Sequence, residues 1–273
     1  MSIRIKNRLL RFSALLIIAL IYYWLHQQYA MARLEPAFLS GWLMLGILLL
    51  LILFNLRKKF SYLPLGNAHT WAQLHYYAGM LLVLVFLLHI GMRYPTGVFE
   101  NLLFYFFVLA ILTGLYGIYI SRAFPRRFSS RGEYLIFERM PAFRQALREK
   151  IEGLVSQSIE QLHSTAITEF YSKRLLPVLS KPQNFWLHLF NSGAPYARWD
   201  TQFAAVYRYM DEKEIEITQQ IKQLFYQKLD LDYQYANQAM LKYWLFLHIP
   251  ISYGLVILVL YHLLLTYSFS GGL

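Results

Sequence analysis

Of the 273 residues, 57% are apolar and only 15% charged, against about 25% charged in an average soluble domain. The formal net charge is +11 and there is no cysteine, which excludes disulfides, iron–sulfur clusters, thiolate-bound zinc and covalently attached c-type haem from this stretch of chain. Thirteen of the 15 acidic residues lie between Ser121 and Met240, leaving Glu35 and Glu100 elsewhere. The pattern predicts membrane-embedded segments over 1–120 and 242–273 and a water-facing insert over 121–241.

Five segments, near 12–29, 38–56, 70–92, 99–120 and 243–267, are long and apolar enough to cross a bilayer, which takes about 20 helical residues. Arg4, Lys6, Arg8 and Arg11 precede the first. Ala30-Met31-Ala32 resembles a small-residue signal cleavage site, but the long apolar run and the Tyr22-Tyr23-Trp24 belt favour a retained anchor. Arg57, Lys58 and Lys59 follow the second span, and Arg122, Arg126 and Arg127 follow the fourth. The opposite ends carry only Arg33, only Arg93, and an uncharged tail from Ser268 to Leu273. Lys and Arg mark the inner side, so the expected orientation is N-terminus in and C-terminus out, in a bacterial inner membrane, with a cytoplasmic insert. The expected fold class is an all-α bundle of five transmembrane helices with a helical insert between the fourth and fifth.

The insert holds 16 Lys and Arg against 13 Asp and Glu, so most of the surplus charge sits at span ends. Topology accounts for it and nucleic acid is not an expected partner; membrane lipid is. Apolar residues at Leu135, Phe143, Leu147, Ile151, Leu154 and Val155 predict a helix over 131–158. Pro177, Pro182 and the run Asn191-Ser192-Gly193-Ala194-Pro195 predict a broken middle. Ile215, Ile217, Ile221, Leu224, Phe225 and Leu229 predict a second helix over 211–232. The insert has no glycine-rich phosphate loop, zinc-ligand spacing or catalytic triad, and reads as a docking or packing module.

Four of the eight histidines fall within spans: His75 and His89 in the third, His248 and His262 in the fifth. Both pairs are fourteen residues apart, which returns to within about 40° of the same helix face and rises about 21 Å. Both spans are expected to run from inside to outside, so His75 lies level with His248 and His89 level with His262. Ionisable side chains inside a membrane are costly and usually functional. Two levels of paired imidazoles match two bis-histidine haems of b type, which need no thioether link to the chain. Gly79 and Gly254 are candidates for close approach of a flat ring. Arg57, Lys58, Lys59, His69 and Arg93 are candidates to pair with haem propionates. Pro250 should loosen the backbone beside His248. His26 reads as interfacial, and His163 and His188 as surface or core residues of the insert.

Histidines paired in this way on two helices resemble the di-haem cytochrome b superfamily. Their place on the third and fifth spans resembles the ferric-reductase-like transmembrane domain more closely. The resemblance covers about 150 membrane residues and implies that His75, His89, His248 and His262 are the axial ligands of two haem b groups. It implies transmembrane electron transfer in an oxidoreductase system. The expected donor is a cytoplasmic reductase or a quinol, and the expected acceptor a periplasmic cytochrome or other redox protein. The insert lacks the dinucleotide fingerprint of ferric reductases, and the chain lacks the Pro-Glu-Trp-Tyr motif of bc-type cytochrome b. Two other readings are an intramembrane-histidine metal-ion transporter and a non-redox membrane scaffold. A transporter for hard or borderline cations usually recruits carboxylates as well, and no span holds a central Asp or Glu.

Overall fold

The computed structural model describes residues 3–32, 35–59, 67–128 and 135–269, with side chains over 9–32, 35–54, 67–124 and 135–269. Among the described residues every element is helical. The first four long helices are α1 (Ile3–Met31), α2 (Pro36–Lys59), α3 (Ala68–His89) and α4 (Val98–Phe128). A 3-10 turn, Phe137–Arg139, leads into α5 (Met140–Leu162). Next come α6 (Thr165–Phe170), a π turn at Tyr171–Leu175, α7 (Leu176–Leu179), α8 (Phe185–Leu189) and α9 (Ala194–Tyr207). The last helix, α10, runs from Glu212 to Phe269, 58 residues without interruption.

Five of these helices are long and apolar enough to cross a membrane, through Leu9–Met31, Pro36–Phe54, Ala68–His89, Val98–Phe124 and α10. Among the described residues the fold is thus all-α, a membrane helix bundle with five helices of spanning length and a helical insert. The topology-marking side chains of Arg4, Lys6, Arg8, Arg57, Lys58, Lys59, Arg126 and Arg127 lie outside the described side chains, and Arg33 and Arg131 outside the described residues.

The chain forms two compact units, Met1–Ile118 with Phe246–Leu273, and Tyr119–Leu245. In the first, α3 packs chiefly on α2, and α1 lies against both. Its core gathers Tyr22, Ile47, Leu48, Ala78, Leu82, Val85, Phe107 and Leu255. The outward faces stay apolar too: Leu16, Ile17 and Leu20 of α1 are at least half exposed, as residues facing lipid rather than water should be. Helix α3 ends at Gly91 and Met92, both with positive φ, where the Met92 N–H donates to the Leu87 carbonyl in the manner of a left-handed helix stop.

In the second unit, α5, α6, the π turn, α7, α9 and the first half of α10 enclose one core, in which Ile151, Phe203, Ile221, Phe225 and Leu229 are fully or almost fully buried. The predicted helix over 131–158 starts later, at Met140, because Pro141 in the first turn supplies the fixed φ of a helix start. Pro177 and Pro195 likewise begin short helices rather than only ending others. The expected helix over 211–232 and the fifth span are one continuous element. Polar residues near their junction do not break it, because they serve another strand of backbone. Gln234 accepts from the Leu135 N–H (3.0 Å) and Gln238 donates to the Leu135 carbonyl (2.8 Å). Pro250 also lies within this helix; it leaves the Phe246 carbonyl without its usual i+4 donor.

Candidate functional site

The two histidines of α3 and the two of α10 meet in register. The ring centroids of His75 and His248 are 6.5 Å apart, with the planes at 76°. Those of His89 and His262 are also 6.5 Å apart, at 84°. Pairing lower number with lower number at both levels requires α3 and α10 to run in the same direction. An imidazole nitrogen sits about 1.1 Å from its ring centroid and binds a transition metal at about 2 Å, so two rings holding one ion from opposite sides have centroids about 6.2 Å apart. Both pairs stand close to that separation.

Each ring is fixed by a neighbouring helix, α2 for the histidines of α3 and α4 for those of α10. His89 Nδ1 lies 2.8 Å from Ser40 Oγ, and His248 Nδ1 lies 2.8 Å from Thr113 Oγ1. Both hydroxyls are already donors. Ser40 Oγ donates to the Pro36 and Ala37 carbonyls at 3.0 and 2.9 Å. Thr113 Oγ1 donates to the Leu109 and Ala110 carbonyls at 2.8 and 3.1 Å. A hydroxyl has one proton; with that proton on a helix carbonyl, the hydroxyl accepts from the imidazole and the ring proton sits on Nδ1. On that assignment Nε2 is the nitrogen of His89 and of His248 that would bind a metal, the usual outer-shell arrangement of a ligating histidine.

The other member of each pair is flanked by a phenyl ring. Phe54 of α2 lies 5.2 Å from His75, and Phe99 of α4 lies 6.3 Å from His262. His75 Nδ1 is buried with no partner in hydrogen-bond geometry, and the Leu51 carbonyl is the backbone group facing it. Every level thus has one imidazole tethered through a hydroxyl and one lying beside a phenyl. Ser40 and Phe54 are fourteen residues apart, as are Phe99 and Thr113. The glycines that follow the hydroxyls lie at the same rings: a Cβ at Gly41 would be 3.5 Å from His89, and one at Gly114 3.6 Å from His248.

Between the two levels the bundle is apolar. Leu82 and Leu255 stand seven residues from each histidine of their own helix, on the same face. They are 6% and 3% exposed, in one cluster with Val85 and Phe107. This layer separates the two half-buried imidazole pairs from one another.

The remaining sequence candidates divide. A Cβ at Gly79 meets nothing within 4 Å, whereas one at Gly254 would be 3.0 Å from the Phe106 ring; Gly254 thus serves helix packing, not an open approach. His69 bonds its own helix through Gln73 at 2.7 Å. Arg93 lies exposed just beyond α3. His163 caps α5 in a left-handed conformation, and His188 is fully buried in the insert. Among the described residues no three His, Asp or Glu side chains converge. Comparison with protein-family models, curated proteins and solved structures gives no match to this chain.

Proposed function

We propose that this chain carries electrons across a membrane through two haem b groups, one held by His75 and His248, the other by His89 and His262. The single observation that supports this reading best is the repeated 6.5 Å spacing of paired rings at two levels of the same two helices. His75 with His248, and His89 with His262, would each hold one haem through two imidazole nitrogens. Bound there, haem supplies reversible one-electron chemistry at its iron. The residues do the rest: Ser40 and Thr113 keep the Nδ1 proton in place and aim Nε2, the phenyl rings of Phe54 and Phe99 restrict the second imidazole, and Leu82, Val85 and Leu255 keep the interval dry.

In this reading the resemblance to the ferric-reductase-like transmembrane domain rests on those four histidines. The positive-inside distribution of Lys and Arg supports an inner-membrane protein with a cytoplasmic N-terminus and insert and a periplasmic C-terminus. The partners are a cytoplasmic reductase or a quinol as donor and a periplasmic redox protein as acceptor. Single His→Ala variants test the pairing. His75→Ala and His248→Ala are expected to lose the same haem, and His89→Ala and His262→Ala the other, each resolved by redox titration of the visible spectrum. Retention of both haems in any one of the four would contradict the assignment.

A further inference from the structure

The insert carries a short helix whose chemistry fits a bilayer surface better than water. Helix α8 is set off by two left-handed residues, Asn184 before it (φ 55°) and Asn191 beyond it (φ 56°), so it turns independently of its neighbours. Its inner face is buried: His188 lies edge-on to Tyr196 and Tyr233. Leu189 joins Ile120 and Phe124 in a small core, with Met240, Leu241 and Trp244 against it. Its outer face is apolar and open: Trp186 is 63% exposed and Phe190, one residue past the helix, 75%, and the two rings lie 6.4 Å apart at 23°. Leu187 is exposed beside them.

What this face meets follows from what it is built on. Ile120 and Phe124 belong to the end of the apolar segment Val98–Phe124, and Trp244 lies where α10 turns apolar. Tyr119 and Tyr243, on those same two helices, are also exposed. Helix α8 is therefore seated on Ile120, Phe124 and Trp244, and its exposed face adds a Trp and a Phe to the exposed Tyr119 and Tyr243. Aromatic side chains with one wet and one apolar side collect at that depth of a membrane, and short amphipathic helices lie there in the plane of the headgroups.

We infer that α8 is an interfacial anchor, with Trp186, Leu187 and Phe190 inserted at the headgroup boundary, fastening the insert to the lipid surface. The chain is cysteine-free, so single cysteines at Trp186, Leu187 and Phe190 each accept one nitroxide label, and Tyr209→Cys, 81% exposed in the insert, serves as the aqueous reference. The labelled full-length protein is placed in vesicles of phosphatidylcholine and phosphatidylglycerol, and collision of each label with oxygen and with a water-soluble nickel chelate is measured by electron paramagnetic resonance. The inference expects the oxygen-to-nickel ratio at 186, 187 and 190 to exceed that at 209 several-fold. Ratios equal to that at 209 would place the face in water. Low collision with both reagents would place it under protein. Either result overturns the inference, and three independent positions guard against a single variant that fails to fold.

Discussion

With its one hydroxyl proton on a helix carbonyl, each of Ser40 and Thr113 offers a histidine a lone pair. Removing that acceptor should free the Nδ1–H of one ring and leave the rest of the site in place. Ser40→Ala is expected to weaken haem binding at the His89 level and Thr113→Val at the His248 level, by about 10–100-fold, the usual loss on removing an outer-shell partner of a metal ligand. The opposite level should stay fully occupied, and Thr113→Ser should restore binding and the reduction potential of its haem. Haem titration of each variant, followed by potentiometry, measures both. The four histidines were legible from their shared spacing of fourteen. Their supports were not, because a lone Ser or Thr in a span is satisfied by its own helix, and two phenylalanines among 20 carry no mark. The same spacing of fourteen between Ser40 and Phe54, and between Phe99 and Thr113, was the signal available.

A second residue-scale prediction concerns Tyr171, in the insert. Its hydroxyl donates to Glu152 at 2.7 Å, and burial first, then that carboxylate, pushes the phenol up to about 12 from 10.0. A folded-state value above the unfolded one favours folding fully below pH about 10 and progressively less as pH rises towards about 12. Tyr171→Phe should therefore be less stable than the parent at neutral pH, by about 1 kcal/mol for the lost hydrogen bond. The difference should shrink above pH about 10. Denaturant midpoints of the full chain at neutral and alkaline pH give the comparison.

At the scale of elements, the insert part of α10 carries a buried charge cluster. Lys228 bonds Asp232 one turn away at 2.5 Å, both with fully buried side chains, and Arg144 of α5 lies 3.8 Å from the same carboxylate. Gln183 adds its backbone N–H at 3.1 Å. Asp232→Ala would leave two cations buried without their anion and should cost about 3–5 kcal/mol. The double change Lys228→Met with Asp232→Leu removes the pair together and should recover part of that loss, again read from denaturant midpoints. The apolar period of this helix, Ile217, Ile221, Phe225 and Leu229, was plain in the sequence. Its continuity was not, because Gln234, Asn237 and Gln238 look like a boundary until Leu135 is seen bonded to two of them. Helices α6 to α8, of four to six residues, are too short for a hydrophobic period to mark them, and the prolines around them are both stops and starts.

For the whole molecule, the membrane class and the count of spans follow from where charge is absent, which needs no tertiary information. The register of the two histidine-bearing helices follows from topology, since two parallel spans with equal spacing bring equal depths together. The neighbours that hold the rings come from α2 and α4, whose contacts with α3 and α10 no local pattern encodes. The central claim is that these four helices together hold two haems. Its most direct test is the visible spectrum of the purified, folded protein, oxidised and then reduced, with haem counted per chain after expression under ample haem supply. The account predicts b-type spectra and two haems per chain; folded protein without haem would contradict it.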